Sequence, residues 1–126
     1  MIAYTMFGTK DLQKATAFYD ELFKELGYVR TWSNDNFNVW GAEGTMGSFA
    51  ACKPENGEEA TVGNGTMIAI GAPSKEVVEK VYAKALELGG TSEGEPGYRA
   101  DPEAKFYAAY FRDLDGNKMN CVCVGQ

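Results

Sequence analysis

Apolar residues are spaced along the chain in two rhythms, alternating in short runs and recurring every three or four positions in two longer ones. Residues 2–7 form a short β-favouring run that ends at Gly8, which predicts a strand. Leu12, Ala15, Phe18, Tyr19, Leu22, Phe23 and Leu26 then mark the stripe of a helix lying on a sheet, with Asp11 as its cap and Gly27 as its stop. Strands follow at 28–32, 37–41 and 47–52, separated by Ser33-Asn34-Asp35-Asn36 and by the Gly-bearing stretch 42–46. Residues 53–65 are polar, carry Pro54, Gly57, Gly63 and Gly65, and read as a linker. A strand at 66–70 comes next. Pro73-Ser74 opens a second helix whose Val77, Val78, Val81, Tyr82, Ala85 and Leu88 share a face before Gly89-Gly90. A short strand near 91–93, a Pro/Gly-containing loop through Pro102 and a closing hairpin complete the order.

The hairpin, residues 110–123, has its register written into its turn. Asp113-Leu114-Asp115-Gly116 suits a type I turn with Gly116 in the left-handed conformation, which glycine enters without a Cβ penalty. With Asp113 facing Asn117, Arg112 falls opposite Lys118, Phe111 opposite Met119 and Tyr110 opposite Asn120. Alternation then puts Phe111, Met119, Cys121 and Cys123 on the face a helix covers. Tyr110, Arg112, Lys118, Asn120 and Val122 take the other, facing solvent or a ligand cavity. The Asp-rich run is not an EF-hand loop, because Gly is fourth rather than sixth and the twelfth position is Val124.

A displacement of 63 residues brings Asp11 onto Ser74, Tyr19 onto Tyr82 and Gly27 onto Gly90. The economical explanation is a duplicated βαβββ unit within a single domain spanning 1–126: module one about 1–53, linker about 54–64, module two about 65–126. The class is α+β. Each sheet needs one apolar face covered by its helix, leaving the other to curl into a trough, and two troughs make a cup of the kind small-molecule sites favour.

Composition narrows the chemistry. At 126 residues the chain can bury a core without metals or disulfides, and its 44% hydrophobic and 24% charged residues are those of a globular protein. The formal charge of −6 argues against nucleic acid and acidic lipid as partners. No run approaches a membrane span and no signal-peptide pattern opens the chain, so the expected location is the cytoplasm. Three cysteines without metal-type spacing read as reduced thiols. Histidine is absent altogether, which removes Ser-His-Asp and Cys-His mechanisms and the commonest ligand of zinc, iron and nickel.

Gly8-Thr9-Lys10-Asp11-Leu12 with Ala17-Phe18-Tyr19, then Gly63-Asn64-Gly65-Thr66, Gly89-Gly90-Thr91 and the run from Tyr110 to Lys118 together resemble the glyoxalase/bleomycin-resistance/dioxygenase (vicinal oxygen chelate) superfamily. The resemblance covers nearly the whole chain and implies paired βαβββ modules, a mixed sheet curled into a cup with the helices on its outer side, and a homodimer. In metal-using members two His and a Glu converge on a divalent ion, and the matching positions here are Tyr4, Met67 and Asn120. A phenol, a thioether and a carboxamide are poor substitutes, and residues 48–51, where a fourth ligand would lie, hold no acid. No metal and no cofactor are therefore expected.

Candidate ligand-binding residues are Tyr4, Trp40, Met67, Tyr110, Arg112 and Asn120. Each has a structural alternative: Tyr4 and Met67 as packing, Trp40 as buried area, Tyr110 with Asn120 as a solvated or purely structural cross-strand pair, and Arg112 with Lys118 as a solvated pair at a sheet rim. Glu43, Tyr4 and Tyr110 are the candidates for acid–base work. The leading expectation is a metal-independent protein that encloses a small, partly apolar ligand, with the bleomycin-sequestering members as precedent and the net charge compatible with a cationic ligand. The alternatives are a glyoxalase-type lyase or isomerase, or a dioxygenase-like enzyme, with a rearranged or metal-free site, and a dimer whose cup has filled with side chains.

Overall fold

A computed structural model describes residues 1–126. In chain order the elements are β1 (Tyr4–Gly8), α1 (Leu12–Lys24), β2 (Val29–Ser33), β3 (Phe37–Gly41), β4 (Ser48–Cys52), β5 (Ile68–Gly71), α2 (Lys75–Glu87), β6 (Thr91–Tyr98), β7 (Phe106–Arg112) and β8 (Lys118–Val124), with a short 3-10 turn at Pro102–Ala104. They form two four-stranded mixed sheets, ordered β1-β4-β3-β2 and β5-β8-β7-β6. In each, the strand before the helix runs parallel to the last strand of its half, and the other pairs are antiparallel. This is an α+β fold of tandem βαβββ halves.

Local signals account for the helices. Asp11 accepts from the Lys14 N–H and Ser74 from the Val77 N–H, each satisfying a donor that the first turn would otherwise leave unpaired. The two helices end differently. Gly27 takes the positive φ beyond α1, whereas beyond α2 it is Gly89, not Gly90, that turns left-handed. Gly90 is required for another reason: a Cβ there would lie 2.6 Å from the Arg112 carbonyl oxygen and 2.8 Å from that of Ala85.

The hairpin pairs Tyr110 with Asn120, Phe111 with Met119 and Arg112 with Lys118, the register its turn demands. Phe111, Met119, Cys121 and Cys123 are buried beneath α2. The strand expected near 91–93 instead runs from Thr91 to Tyr98, through Pro96 and Gly97. β6 is an edge strand, so the missing N–H of Pro96 need not break the ladder, and register shifts at Ser92/Gly94 and Gly94/Gly97 absorb the irregularity.

The helix-bearing sides of the two sheets meet in one core. Seventeen buried residues form a single cluster drawing on both halves, including Phe18, Tyr19, Trp40, Val78, Phe111 and Met119. The β7–β8 turn clasps module one at the start of α1. Asn117 Nδ2 donates to the Gly8 carbonyl at 3.0 Å, and Asp115 accepts from the Thr9 hydroxyl at 2.6 Å and the Lys10 N–H at 2.8 Å. Asp113 accepts from the buried Tyr19 hydroxyl. Burial pushes the Asp113 carboxyl up, opposed by the bonds from Tyr19 and Asn117, while burial and the neighbouring carboxylate hold the Tyr19 phenol well above its ordinary range.

Candidate functional site

Because the helix sides face one another, each sheet leaves its opposite face uncovered. On sheet one, β1 and β4 pair Tyr4 with Ser48 and Met6 with Ala50. These four, with Phe37, Val39 and the loop residue Met46, line an open apolar hollow of about 420 Å³. Tyr4 is 61% exposed and Met6 43%, far from the burial their apolar surface favours. On sheet two, Met67 lies just before β5 and, with Thr66, Arg112 and Lys118, lines a separate hollow of about 530 Å³. Asn120 and Tyr110 stand on that same face, since their neighbours Met119, Cys121 and Phe111 point into the core.

The six residues singled out in the sequence therefore divide. Met67, Tyr110, Arg112 and Asn120 share the face of sheet two, and Tyr4 stands on the face of sheet one in a different hollow. Trp40 belongs to neither face. Phe37 and Val39 take the open side of β3, so alternation turns Trp40 toward α1, where it is 1% exposed, packs on Tyr19 and donates from Nε1 to Asp20 at 2.8 Å. There it borders a cleft between the modules of about 270 Å³ with Phe23, Phe49 and Ile68. Glu43 is exposed on the β3–β4 connection.

Asn120 is the most telling side chain. It is 2% exposed and its Oδ1 is the one buried side-chain oxygen or nitrogen without a hydrogen-bond partner. Leaving such an acceptor unsatisfied costs on the order of 1–3 kcal/mol. Arg112 is already engaged, donating from Nε to Glu93 at 2.6 Å and from Nη1 to the Gly116 carbonyl at 2.8 Å, and this pairing holds the Glu93 carboxyl below its usual range. Arg99 and Lys118 flank the Tyr110 ring, with Cζ 5.3 Å and Nζ 5.8 Å from its centroid. Arg99 went unnoticed in the sequence because its segment reads as a loop. The one available signal was the pair Gly94 and Gly97, whose missing Cβ atoms leave the space its guanidinium occupies.

A glyoxalase/bleomycin resistance protein/dioxygenase superfamily model matches residues 1–120. The chain belongs to this superfamily. Among solved members, the glyoxalase/bleomycin resistance protein from Albidiferax ferrireducens T118 shares 35% identity over 98% of both chains with a TM-score of 0.88. The superfamily fold recurs at lower identity. A family enzyme from Burkholderia phytofirmans PsJN is 20% identical over 98% of both chains, TM-score 0.77. The fosfomycin resistance protein FosX from Listeria monocytogenes is 19% identical over 100% of this chain and 93% of its own, TM-score 0.68. No curated protein sequence matches this superfamily member.

No cluster of three or more His, Cys, Asp or Glu side chains suited to an ion occurs in the chain. Nor is any helix long and apolar enough to cross a membrane.

Proposed function

We propose that the protein is a homodimer that binds a small, partly apolar ligand in cups built between its two copies, without a conventional metal site. The single observation that carries this reading is the pair of helix-free faces, one apolar and exposed at Tyr4 and Met6, the other with Met67 and Arg112 at its surface and the unpartnered Asn120 oxygen buried among its own neighbours. One chain cannot fold its own faces together, because the helix sides of both sheets are already joined in its core. A two-fold related copy can, setting sheet one of each chain against sheet two of the other. Each cup then contains Tyr4 of one copy with Met67 and Asn120 of its partner.

The donors at these positions do not fit a divalent ion. The phenol binds well only when ionised, the thioether is soft and neutral, and Asn120 offers one neutral oxygen. The same groups suit an uncharged or organic partner: a flexible thioether and aromatic walls for apolar surface, an amide for one directional bond. The free thiols at Cys52, Cys121 and Cys123 accord with a cytoplasmic setting.

Sedimentation and elemental analysis of untagged protein test the reading together. A dimer with far less than one metal ion per chain is expected, and the Met6→Glu variant should sediment as a folded monomer. A monomeric wild type, or stoichiometric nickel, zinc, iron or manganese surviving dialysis, would overturn it.

A further inference from the structure

The chemical class of ligand follows from the charges on the sheet-two face. The chain as a whole is acidic at −6, which by itself favours a cation, yet this face gathers Arg99, Arg112 and Lys118 around Tyr110. Glu93 pairs with Arg112, and no carboxylate forms an ion pair with Arg99 or Lys118. Local field, not net charge, decides what a concave site collects.

Arg99 is held in place rather than free in solvent. Its guanidinium donates only to carbonyls, from Nη2 to Glu95 at 2.5 Å and from Nη1 to Tyr98 at 3.5 Å, so its charge is oriented but not neutralised. It lies where two side chains are missing: a Cβ at Gly94 would sit 3.1 Å from Nη2, and one at Gly97 3.1 Å from Nη1. The ring of Tyr110 attracts both cations only weakly. Arg99 has no carboxylate partner, and Lys118 has only the field of Glu93, which is itself bonded to Arg112; beside the buried, unpartnered acceptor Asn120 Oδ1 they suit a guest that supplies negative charge and one donor.

We propose that the ligand is an aromatic or otherwise apolar organic acid whose anionic group sits beside Tyr110 between Arg99 and Lys118, with Asn120 Oδ1 accepting from a donor on the ligand. This rests on the reading of the open faces as a ligand cup. The apolar body of the acid lies against Tyr4, Met6 and Val39 of the opposing sheet-one face.

Titration calorimetry with 6-hydroxy-2-naphthoate, 6-hydroxy-2-naphthamide and 6-hydroxy-2-naphthylmethylamine, which all carry a hydroxyl donor for Asn120 and differ in charge but hardly in apolar surface, tests the proposal on the intact protein. The acid should bind at least about tenfold more tightly than the amide, with the ammonium weakest, and the preference should shrink with added salt. Lys118→Gln and Arg99→Gln should each weaken the acid about tenfold while leaving the amide unchanged, which also certifies their folding. Gly94→Ala keeps every charge but crowds the Arg99 guanidinium and the Tyr110 ring by a few tenths of an ångström, so it should weaken the acid less than Arg99→Gln does. Tighter binding of the ammonium would refute the anion while leaving the cup intact. Acid binding indifferent to both charge-removing variants would refute the location. Failure of all three naphthyl compounds to bind to protein that sediments as a dimer would refute the ligand class, whereas failure in a protein that sediments as a monomer would sink the cup reading.

Discussion

Removing one hydroxyl should loosen the joint between the two halves. Tyr19 of α1 donates to Asp113 Oδ2 of the β7–β8 turn, and both groups are buried. Tyr19→Phe deletes that bond while keeping the ring, which packs on Phe18, Phe23, Trp40 and Phe49. Hydrogen bonds to a charged partner contribute roughly 1.5–3 kcal/mol. Asp113 keeps three other donors, the N–H groups of Asp115 and Asn117 and the Asn117 amide, so the lower half of that range applies and the expected loss is about 2 kcal/mol. With an unfolding entropy of about 2.1 cal/mol/K per residue over 126 residues, that is a fall of about 8 °C in Tm. Urea unfolding at fixed protein concentration, run on Tyr19→Phe, Asp113→Asn and the double variant, measures both the loss and the coupling. A loss under about 0.5 kcal/mol, or the same loss in both Asp113 backgrounds, would show that the bond does not join the modules.

Asp113 should also leave a mark on the pH dependence. Its carboxyl is raised in the folded protein, so the stability linked to its protonation is fully present below the unfolded pKa and is lost as pH rises through the folded one. The stability of wild type relative to Asp113→Asn should therefore grow on acidification from neutrality; a difference that is flat or shrinks would contradict the burial of this group. Gly90→Ala should cost about 3 kcal/mol or more, because its Cβ would strike two backbone carbonyls, whereas Gly57→Ala has open space and meets only a positive-φ penalty of roughly 1–2 kcal/mol. Equal losses in thermal melts would refute the close approach. Cys121, fully buried and pushed up to about 12 by that burial, should resist iodoacetamide in native protein at mildly alkaline pH, while half-buried Cys52 reacts; equal labelling by mass spectrometry would contradict the packing beneath α2.

Much of this protein was legible one segment at a time. The period of the apolar residues, the caps Asp11 and Ser74 and the turn at 113–116 define the helices and the hairpin register, because each depends on contacts between near neighbours in the chain. Where long-range context decides, sequence reasoning stopped short. β6 reaches Tyr98 because an edge strand tolerates Pro96, and its edge position follows from which strand pairs with β7. Trp40 and Val39 are adjacent and both apolar, and only the placement of α1 determines which of them is covered.

By itself the sequence determined the helices, the hairpin, the duplication and the identity of the groups at Tyr4, Met67 and Asn120, since these follow from local periodicity and from a motif spread over nearly the whole chain. The tertiary structure alone decided that the helix sides of the two sheets meet, leaving Tyr4 and Asn120 on separate faces, and that Arg99 folds over Gly94 and Gly97 to join Lys118 at Tyr110. The physical reason is that a strand's alternation defines two faces without saying which will be buried. Burial is settled only when the second sheet supplies the apolar surface that removes one of them from water.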